Sequence, residues 1–298
     1  MRVLITGVAG FIGSHIADAL LEAGHEVAGV DDLSTGRHQN VAAGVDFIEG
    51  DIRNGIPQDR WDAIYHCAAS YRNRDDWERD SSVNVGGTIR VVREALRTGA
   101  RLVYMQTSLC YGGALGSVTT DSPLDPRGSY AVSKTAAECY IRDSGADWAS
   151  LRLANMYGPR NLSGPVPAFW KRLSAGEPCT VVDARRDYVY VADLVDLALR
   201  AGEPGAPGGA FHASTGSDYA ILQLWRSVAQ AMRLDRDDPP VLPRHADDVA
   251  SLLIDPSRTR AAYGWEAQTP LAAGIRAAVD WYSQNGVQAV YTHLSMKG

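Results

Sequence analysis

The sequence of 298 residues contains few cysteines and no long apolar run. Its four cysteines are widely spaced without a Cys-x-x-Cys pair, and the seven histidines form no ligand pattern, so we predict reduced core cysteines and no metal site. No apolar stretch approaches the ~18 residues of a membrane span, and no signal-peptide pattern precedes the first predicted strand. These absences favour a cytoplasmic protein with no membrane partner. The cysteines are Cys67, Cys110, Cys139 and Cys179.

Basic charge is also scarce. Lys and Arg number 29 against 35 Asp and Glu, which gives a net charge of -6. A nucleic-acid-binding domain normally presents an excess of Lys and Arg on one face, so this balance argues against a nucleic-acid partner. An anionic small molecule would have to be held by local arginines. The composition, 45% apolar and 21% charged, is that of an ordinary globular protein.

A glycine-rich turn follows the first predicted strand, 2–6, and precedes a helix with apolar residues at helical spacing. Gly7, Gly10 and Gly13 are each separated by two residues, and Phe11 and Ile12 lie between the last two. Without side chains, the turn lets a pyrophosphate approach the free N–H groups of a helix N-terminus. The spacing differs from G-x-G-x-x-G, and the simpler alternative is tight packing of the strand on the helix.

The second predicted strand, 26–30, ends directly at Asp31 and Asp32. An acidic residue about 20 positions after such glycines suits the ribose hydroxyls of NAD and repels the 2′-phosphate of NADP. Arg37 keeps NADP open as a minor alternative, and a helix or turn cap is the alternative for Asp31. We predict NAD as the cofactor.

Two further strands are predicted at 45–48 and 63–67, followed by Asp51-Ile52 and Ala68-Ala69. In a parallel sheet these positions share the ligand-binding edge. Asp51 could meet the adenine amine, and the small alanines would let backbone lie against the cofactor. Asn84 stands at the start of a predicted helix, 83–96; we predict it to be a cofactor-binding residue, and a helix cap is the simpler interpretation. The charged segment 71–80 is predicted to be a solvated loop with Trp77 as an apolar anchor.

A phenol and an ammonium lie one helical turn apart at Tyr130 and Lys134. A tyrosine has an unperturbed pKa near ~10, and bringing it near 7 requires roughly 4 kcal/mol of differential stabilisation. A nearby lysine supplies part of that by favouring the phenolate. Upstream, Thr107 and Ser108 follow the strand predicted at 102–105. Their hydroxyls could hydrogen-bond a substrate oxygen. A solvated helix and simple caps are the alternative interpretations.

These motifs occur in an order that resembles the extended short-chain dehydrogenase/reductases, specifically the NAD-dependent nucleotide-sugar epimerase/dehydratase family that includes UDP-galactose 4-epimerase. The likeness runs from Val3 to Tyr282. It implies an α/β fold, a Rossmann-type doubly wound parallel sheet with a smaller, mainly helical C-terminal substrate lobe. We expect an NAD-binding domain at 1–154 with returning segments near 183–215, and a substrate-binding lobe at 155–298.

The resemblance also implies residue roles. Tyr130 would be the catalytic base, Lys134 would lower its pKa and hold the nicotinamide ribose, and Thr107 would be the catalytic hydroxyl. Asn155 and Arg186 match substrate-binding residues, with Arg186 meeting the nucleotide diphosphate. Arg244 is a looser match, because its surroundings depart from Arg-x-Gly-Asp by one extra residue. A homodimer formed through helices near 83–96 and 127–143 is expected from the family.

Two departures bear on the reaction. Family members that act as 4,6-dehydratases carry an Asp-Glu pair after the threonine, where this chain has Ser108 and Leu109. Leucine cannot move a proton, so epimerisation at C4 through a 4-keto sugar is favoured over dehydration and decarboxylation. An NAD(P)-dependent reductase or dehydratase and a non-catalytic dinucleotide-sensing protein are the alternatives. Residues 106–110 and the tail 290–294 are similar to epimerase-like proteins of bacterial surface-polysaccharide clusters.

Overall fold

The structure is a computed structural model that describes residues 1–71, 75–114, 116–244, 251–287 and 290. Strands alternate with helices along much of the chain, as expected for a parallel sheet covered on both faces. The strands are β1 (Arg2–Thr6), β2 (Glu26–Asp31), β3 (Val45–Glu49), β4 (Ala63–His66), β5 (Arg101–Thr107), β6 (Ser117–Val118), β7 (Trp148–Leu153), β8 (Asn155–Tyr157), β9 (Val181–Val182), β10 (Arg185–Arg186), β11 (Tyr188–Tyr190), β12 (Gly209–Ala213), β13 (Tyr219–Ala220), β14 (Val241–Leu242) and β15 (Leu253–Ile254).

The helices vary in length from one turn to about four turns. A π-helical segment, Ser81–Gly87, joins the short helix before it to the longer one after it. The α-helices are α1 (Phe11–Glu22), α2 (Trp77–Asp80), α3 (Thr88–Thr98), α4 (Ser129–Asp143), α5 (Pro165–Ser174), α6 (Val191–Gly202), α7 (Ile221–Ala231), α8 (Ser257–Tyr263) and α9 (Leu271–Asn285).

Seven strands form one parallel sheet in the order β3-β2-β1-β4-β5-β7-β12. From β1 the chain winds outward through β2 and β3, and then returns to place β4 on the other side of β1. The residue Thr6 therefore lies opposite Val30 on one side and His66 on the other. This reversal between β1 and β4 is the topological switch point, where the carboxyl ends of the strands open a crevice for ligands.

The core lies on both faces of the sheet because alternate strand residues point to opposite sides. Val3 and Ile5 pack with α1 and α6, whereas Leu4 packs with α3 and α4. A second apolar cluster, built on α5, α7 and α9, forms the core of the smaller C-terminal region. The predicted fold class is confirmed by this arrangement. The division into domains at 1–154 and 155–298 stays a prediction.

Two predicted elements differ from the structure where it describes them. Within the segment 71–80, residues 77–80 form α2 with Asp80 buried at its end, and Trp77, predicted to be an apolar anchor, is 67% exposed. The amphipathic pattern of residues 219–232 predicts a helix, but α7 begins two residues later, because Tyr219 and Ala220 pair with β10. The predicted tail motif 290–294 lies outside the described residues except for Val290, whose neighbours Gln288 and Ala289 are also undescribed.

Candidate active site

A cleft of about 1050 Å³ lies along the carboxyl ends of the sheet strands and extends into the smaller region. It brings together residues that the sequence predicted from separate motifs. Its volume is at the upper end of the range found for ligand pockets, roughly 300–1,000 Å³. The predicted site residues that line it are Gly7, Gly10, Phe11, Ile12, Gly13, Asp31, Asp32, Asp51, Ile52, Ala68, Ala69, Thr107, Ser108, Tyr130, Lys134, Asn155 and Arg186.

The glycine turn is packed too closely for side chains. Gly7 has φ +73°, and a Cβ there would lie 2.6 Å from the backbone nitrogen of Ala68. A Cβ on Gly13 would lie 2.2 Å from the carbonyl oxygen of Gly7. At the N-terminus of α1, Gly10 supplies no side-chain cap, and no acidic residue occupies the first turn. The glycines thus allow tight packing of the strand on the helix, as the simpler alternative predicted. They also leave the N-terminus of α1 at the edge of the cleft open to an anion.

Asp31 and Asp32 have different surroundings. The Asp31 carboxylate accepts hydrogen bonds from the N–H groups of Ala9 (3.0 Å) and Leu33 (2.8 Å) and thereby ties the glycine turn to the end of β2. Burial raises the pKa of Asp31. Asp32 is more exposed and faces the Arg79 guanidinium at 3.5 Å. Asp31 therefore acts as a turn cap, which was the alternative interpretation. Both Asp31 and Asp32 line the cleft.

Asp51 is held by a forked contact with Arg53, whose Nε and Nη2 lie 2.8 Å and 2.6 Å from Asp51 Oδ2. These hydrogen bonds lower the pKa of the Asp51 carboxyl. Ile52 is buried beside Gly87, where a Cβ would lie 2.5 Å from the isoleucine side chain. The two residues thus form a fixed part of the cleft wall next to β2.

Asn84 does not line the cleft, contrary to its prediction as a cofactor-binding residue. It is also not a helix cap, because it lies inside the π-helical segment. Its buried side chain accepts from the N–H of Ser70 (2.8 Å) and donates to the carbonyl of Ser70 (3.0 Å) and to Ser133 Oγ (2.9 Å). Asn84 therefore fixes the loop after β4 against α4.

Tyr130 and Lys134 lie on the first turns of α4, and both line the cleft. The Lys134 ammonium sits 3.9 Å from the centroid of the Tyr104 ring. Burial lowers the pKa of Lys134 to about 7, because an ammonium is poorly solvated there. Burial raises the pKa of Tyr130, and the neighbouring Tyr71 and Asp80 add to that effect. Desolvation thus dominates the Tyr130 pKa in the protein chain alone, and the lowering of that pKa by Lys134 stays a prediction.

Thr107 is the last residue of β5, and its side chain caps the turn that follows. Its Oγ1 accepts a hydrogen bond from the N–H of Leu109 at 3.2 Å, which caps the segment Ser108–Tyr111. Ser108 is buried, and the apolar Leu109 also lines the cleft. The cap interpretation is thus correct for Thr107, and the same hydroxyl lies on the wall shared with Tyr130.

The substrate residues predicted in the C-terminal half are only partly brought together. Asn155 is held by a hydrogen bond from its Nδ2 to the carbonyl of Asp187 (3.1 Å), and Arg186 is the last residue of β10, directly before Asp187 in the chain. Arg244 is exposed and does not line the cleft, so its predicted placement is not supported. The sequence analysis missed four further cations of the cleft wall, three of them in this half of the chain; they are Arg79, Arg160, Lys171 and Arg172. Arg160 immediately follows Tyr157-Gly158-Pro159, a signal that could have identified it.

Among the described residues there is no group of three or more His, Cys, Asp or Glu side chains that could hold a metal ion. None of the helices in the described part of the chain is both long and apolar enough to cross a membrane.

Comparison with protein families identifies the chain. Residues 3–213 match the model of the NAD dependent epimerase/dehydratase family. The chain belongs to this family. This match confirms the resemblance seen in the sequence. The cofactor of the family is NAD, as predicted.

Individual relatives of this family member cover nearly its whole length. A UDP-glucose 4-epimerase from Mycolicibacterium smegmatis is 34% identical over 95% of this chain and 98% of its own. WbmH from Bordetella bronchiseptica, solved with NAD+, is 42% identical, with a TM-score of 0.90 over 96% of this chain and 99% of that one. WbmG from the same organism, solved with NAD and UDP, is 37% identical, with a TM-score of 0.90 over 99% of each chain.

The relatives do not share one reaction. A mouse dTDP-D-glucose 4,6-dehydratase is 28% identical over 95% of this chain and 89% of its own. Membership therefore establishes an NAD-dependent enzyme family that modifies nucleotide sugars, while the choice of reaction depends on residues of the site.

Proposed function

We propose that the protein is an NAD-dependent epimerase that inverts C4 of a nucleotide-activated sugar through a transient 4-keto intermediate. The observation that carries this proposal is the composition of one wall of the cleft. It contains a phenol, a hydroxyl and an ammonium, contributed by Tyr130, Thr107 and Lys134, together with the apolar Leu109. The 34% identity to a UDP-glucose 4-epimerase supports the same reaction.

The chain offers a cradle that fits the cofactor. The turn is formed by glycines at which a Cβ would strike neighbouring backbone. The N-terminus of α1, which has no side-chain cap, would hold the diphosphate, and the exposed Asp32 carboxylate would accept hydrogen bonds from the ribose hydroxyls. Asp51, Ile52, Ala68 and Ala69 would border the adenine and nicotinamide halves. When bound, NAD+ supplies a reversible acceptor for the C4 hydrogen and a positive charge beside the site.

Side chains of the protein transfer the proton of the C4 hydroxyl. Tyr130 accepts the proton of the C4 hydroxyl when the sugar carbon is oxidised and returns it when the 4-keto sugar is reduced on its opposite face. Thr107 donates a hydrogen bond to the C4 oxygen, and Lys134 stabilises the phenolate. Because burial raises the pKa of Tyr130 in the chain alone, formation of its phenolate would require positive charge nearby, and the Lys134 ammonium one helical turn away would supply part of it.

The rest of the nucleotide sugar would extend into the smaller region. Arg186 would meet the diphosphate, since a guanidinium fork matches phosphate oxygens, and Asn155 and Ser108 would contact the sugar side. Arg160, Lys171 and Arg172 also line the cleft. Arg160 is paired with Asp18 at 2.7 Å and Arg172 lies 3.9 Å from Glu177, so an anionic substrate would share these guanidinium groups with carboxylates of the chain.

Leu109 separates this proposal from its main alternative. A dehydratase must move protons at C5 and C6 with a separate acid and base, and neither leucine nor the buried Ser108 at these positions is a suitable base near neutral pH. A reductase would release oxidised cofactor after each turnover, whereas an epimerase regenerates NAD+ in each cycle. A non-catalytic dinucleotide sensor would have no use for Tyr130.

The experiment incubates the purified protein with a panel of UDP-, dTDP- and GDP-sugars without added NADH and follows isomer formation by chromatography. We expect one sugar to interconvert with its C4 epimer, and Tyr130→Phe to lower turnover by at least ~100-fold because the general base is lost. Tyr140→Phe, on the exposed face of the same helix, is the matched control and should turn over normally. Full activity of Tyr130→Phe, or products that accumulate only with added NADH, would contradict the proposal.

We also propose a homodimer built on α3 and α4. These adjacent helices carry large apolar side chains on their exposed surfaces, namely Leu96, Val132 and Tyr140. Single exposed apolar residues are common, but a group on two packed helices is typical of an interface.

A further inference from the structure

We propose that Gln106 is a positioning residue that sets the distance between the reactive hydroxyl of Thr107 and the helix carrying Tyr130 and Lys134. Gln106 is the penultimate residue of β5, and its side chain is 1% exposed. Its amide oxygen accepts a hydrogen bond from the N–H of Thr107 at 2.8 Å. Its amide nitrogen donates to the carbonyl of Lys134 at 3.0 Å. One side chain therefore joins both halves of the proposed catalytic group.

The orientation of the Gln106 amide is determined by its partners. The N–H of Thr107 can only donate, so it requires the amide oxygen. The carbonyl of Lys134 and the carboxylate of Glu138, 3.3 Å from the amide nitrogen, accept hydrogen bonds and require the amide N–H groups. A reversed amide would leave these buried groups facing atoms of the same kind, which is costly inside a protein.

The contact fixes α4 along the sheet at the level of the lysine. The Lys134 carbonyl also accepts a hydrogen bond from the hydroxyl of Tyr104, at 3.1 Å. Both donors come from the face of β5 that packs on α4, two residues apart, so the helix cannot slide along the strand without losing both. The Tyr104 ring lies beneath the Lys134 ammonium as well. Strand and helix are thereby held in register where the chemistry is proposed.

The inference rests on the proposed function, because it concerns how the same site is assembled. The test compares two substitutions. Gln106→Met keeps the length of the side chain and removes both hydrogen bonds. Gln106→Glu keeps the shape, but its ionised carboxylate cannot donate to the Lys134 carbonyl. A protonated carboxyl can, so protonation should restore the bridge.

We expect Gln106→Met to lower kcat by ~10- to 100-fold and to change KM by less than ~3-fold, since misplacement of reactive groups acts on the chemical step. We expect its affinity for NAD, measured by titration calorimetry, to fall by ~10-fold, because Lys134 is displaced. The relative activity of Gln106→Glu should rise as the pH is lowered, in contrast to the unmodified protein. Ser150→Ala is the control: Ser150 is buried in the same sheet, makes no side-chain hydrogen bond with the described residues, and should leave all three readouts unchanged.

The outcomes separate this inference from the proposed function. If the unmodified protein converts a sugar and Gln106→Met matches its kcat and NAD affinity, the positioning role is wrong. A rise in KM alone, or a Gln106→Glu pH profile parallel to that of the unmodified protein, also overturns it. If no sugar is converted but Gln106→Met still weakens NAD binding, the epimerase proposal fails while the positioning role stands. Should Gln106→Met not fold, the pH profile and NAD affinity of Gln106→Glu decide the matter.

Discussion

The Arg152 guanidinium lies against the Glu138 carboxylate, with Nε 3.1 Å from Oε1, and both side chains are less than one-tenth exposed. Glu138 is on α4, one turn beyond Lys134, and Arg152 is on β7. Arg152 also donates to the hydroxyl of Tyr111 at 2.6 Å, and that hydroxyl lies 2.6 Å from Nε2 of His212. A buried polar network therefore links the helix of the proposed base to two strands and to the turn after Thr107.

Breaking this ion pair should destabilise the protein strongly. Arg152→Met leaves the Glu138 carboxylate buried without its cation, and we expect a loss of about 3–5 kcal/mol in the free energy of unfolding. Urea denaturation monitored by circular dichroism measures it. The matched control is Arg200→Met, which breaks an exposed ion pair with Asp196 and should cost at most about 1 kcal/mol. A loss for Arg152→Met no larger than that of the control would show that the buried pair is dispensable.

His212 should make stability depend on pH. Its Nδ1 donates to the carbonyl of Asp255 (2.8 Å), so Nε2 is left to accept from the Tyr111 hydroxyl. Burial, aided by the charge of Arg152, lowers the pKa of His212 from 6.5 to about 4. Below pH 6.5, His212 binds a proton in the unfolded chain but stays neutral in the folded chain. The free energy of unfolding therefore falls as the pH drops from 6.5 towards 4.

The expected loss attributable to His212 is about 2–3 kcal/mol between roughly pH 7.5 and 4.5. His66, whose pKa burial also lowers, contributes in the same direction. Comparing the pH dependence of unfolding of the unmodified protein with that of His212→Gln isolates the first residue. Parallel curves for the two proteins would mean that His212 already carries its proton in the folded state.

The sequence predicted well what local patterns determine. The glycine turn, Asp31, Thr107 and the Tyr130 helix follow from strand ends and helical spacing, and parallel topology brings strand ends to one edge. Contacts between distant residues were missed, because no spacing rule links Gln106 to Lys134 or Glu138 to Arg152. Asn84 was misplaced for the same reason, since its partners Ser70 and Ser133 are remote in sequence. The burial that raises the pKa of Tyr130 could not be read from local patterns either, because the extent of burial is a tertiary property.

The glycine turn provides a test of cofactor binding. Gly13→Ala would place a methyl group 2.2 Å from the Gly7 carbonyl oxygen, so the turn must move. We expect a stability loss of about 1–3 kcal/mol from overpacking. NAD affinity, measured by titration calorimetry, should fall by at least ~10-fold because the helix N-terminus is displaced. Gly86→Ala is the control, since a Cβ there meets no atom within 4 Å. Unchanged NAD affinity in Gly13→Ala would remove the turn from the binding site.

The apolar surface of α3 and α4 predicts the state of association. Leu96 and Tyr140 are 49% and 53% exposed, and burying both in an interface with a second copy would remove this apolar area from water. Light scattering coupled to size-exclusion chromatography should therefore give twice the mass of the chain. Leu96→Glu and Tyr140→Glu should each shift the protein towards the monomer, because a carboxylate in the interface core would lose its hydration.

Val241→Glu is the control for this prediction, since Val241 is equally exposed but lies on β14, in the smaller region. It should leave the dimer intact. The proposed cofactor-binding residues line a cleft within a single copy of the chain, so each monomeric variant should retain NAD binding even if it unfolds more readily. A monomeric unmodified protein, or a dimer that survives both glutamate substitutions, would exclude α3 and α4 as the interface.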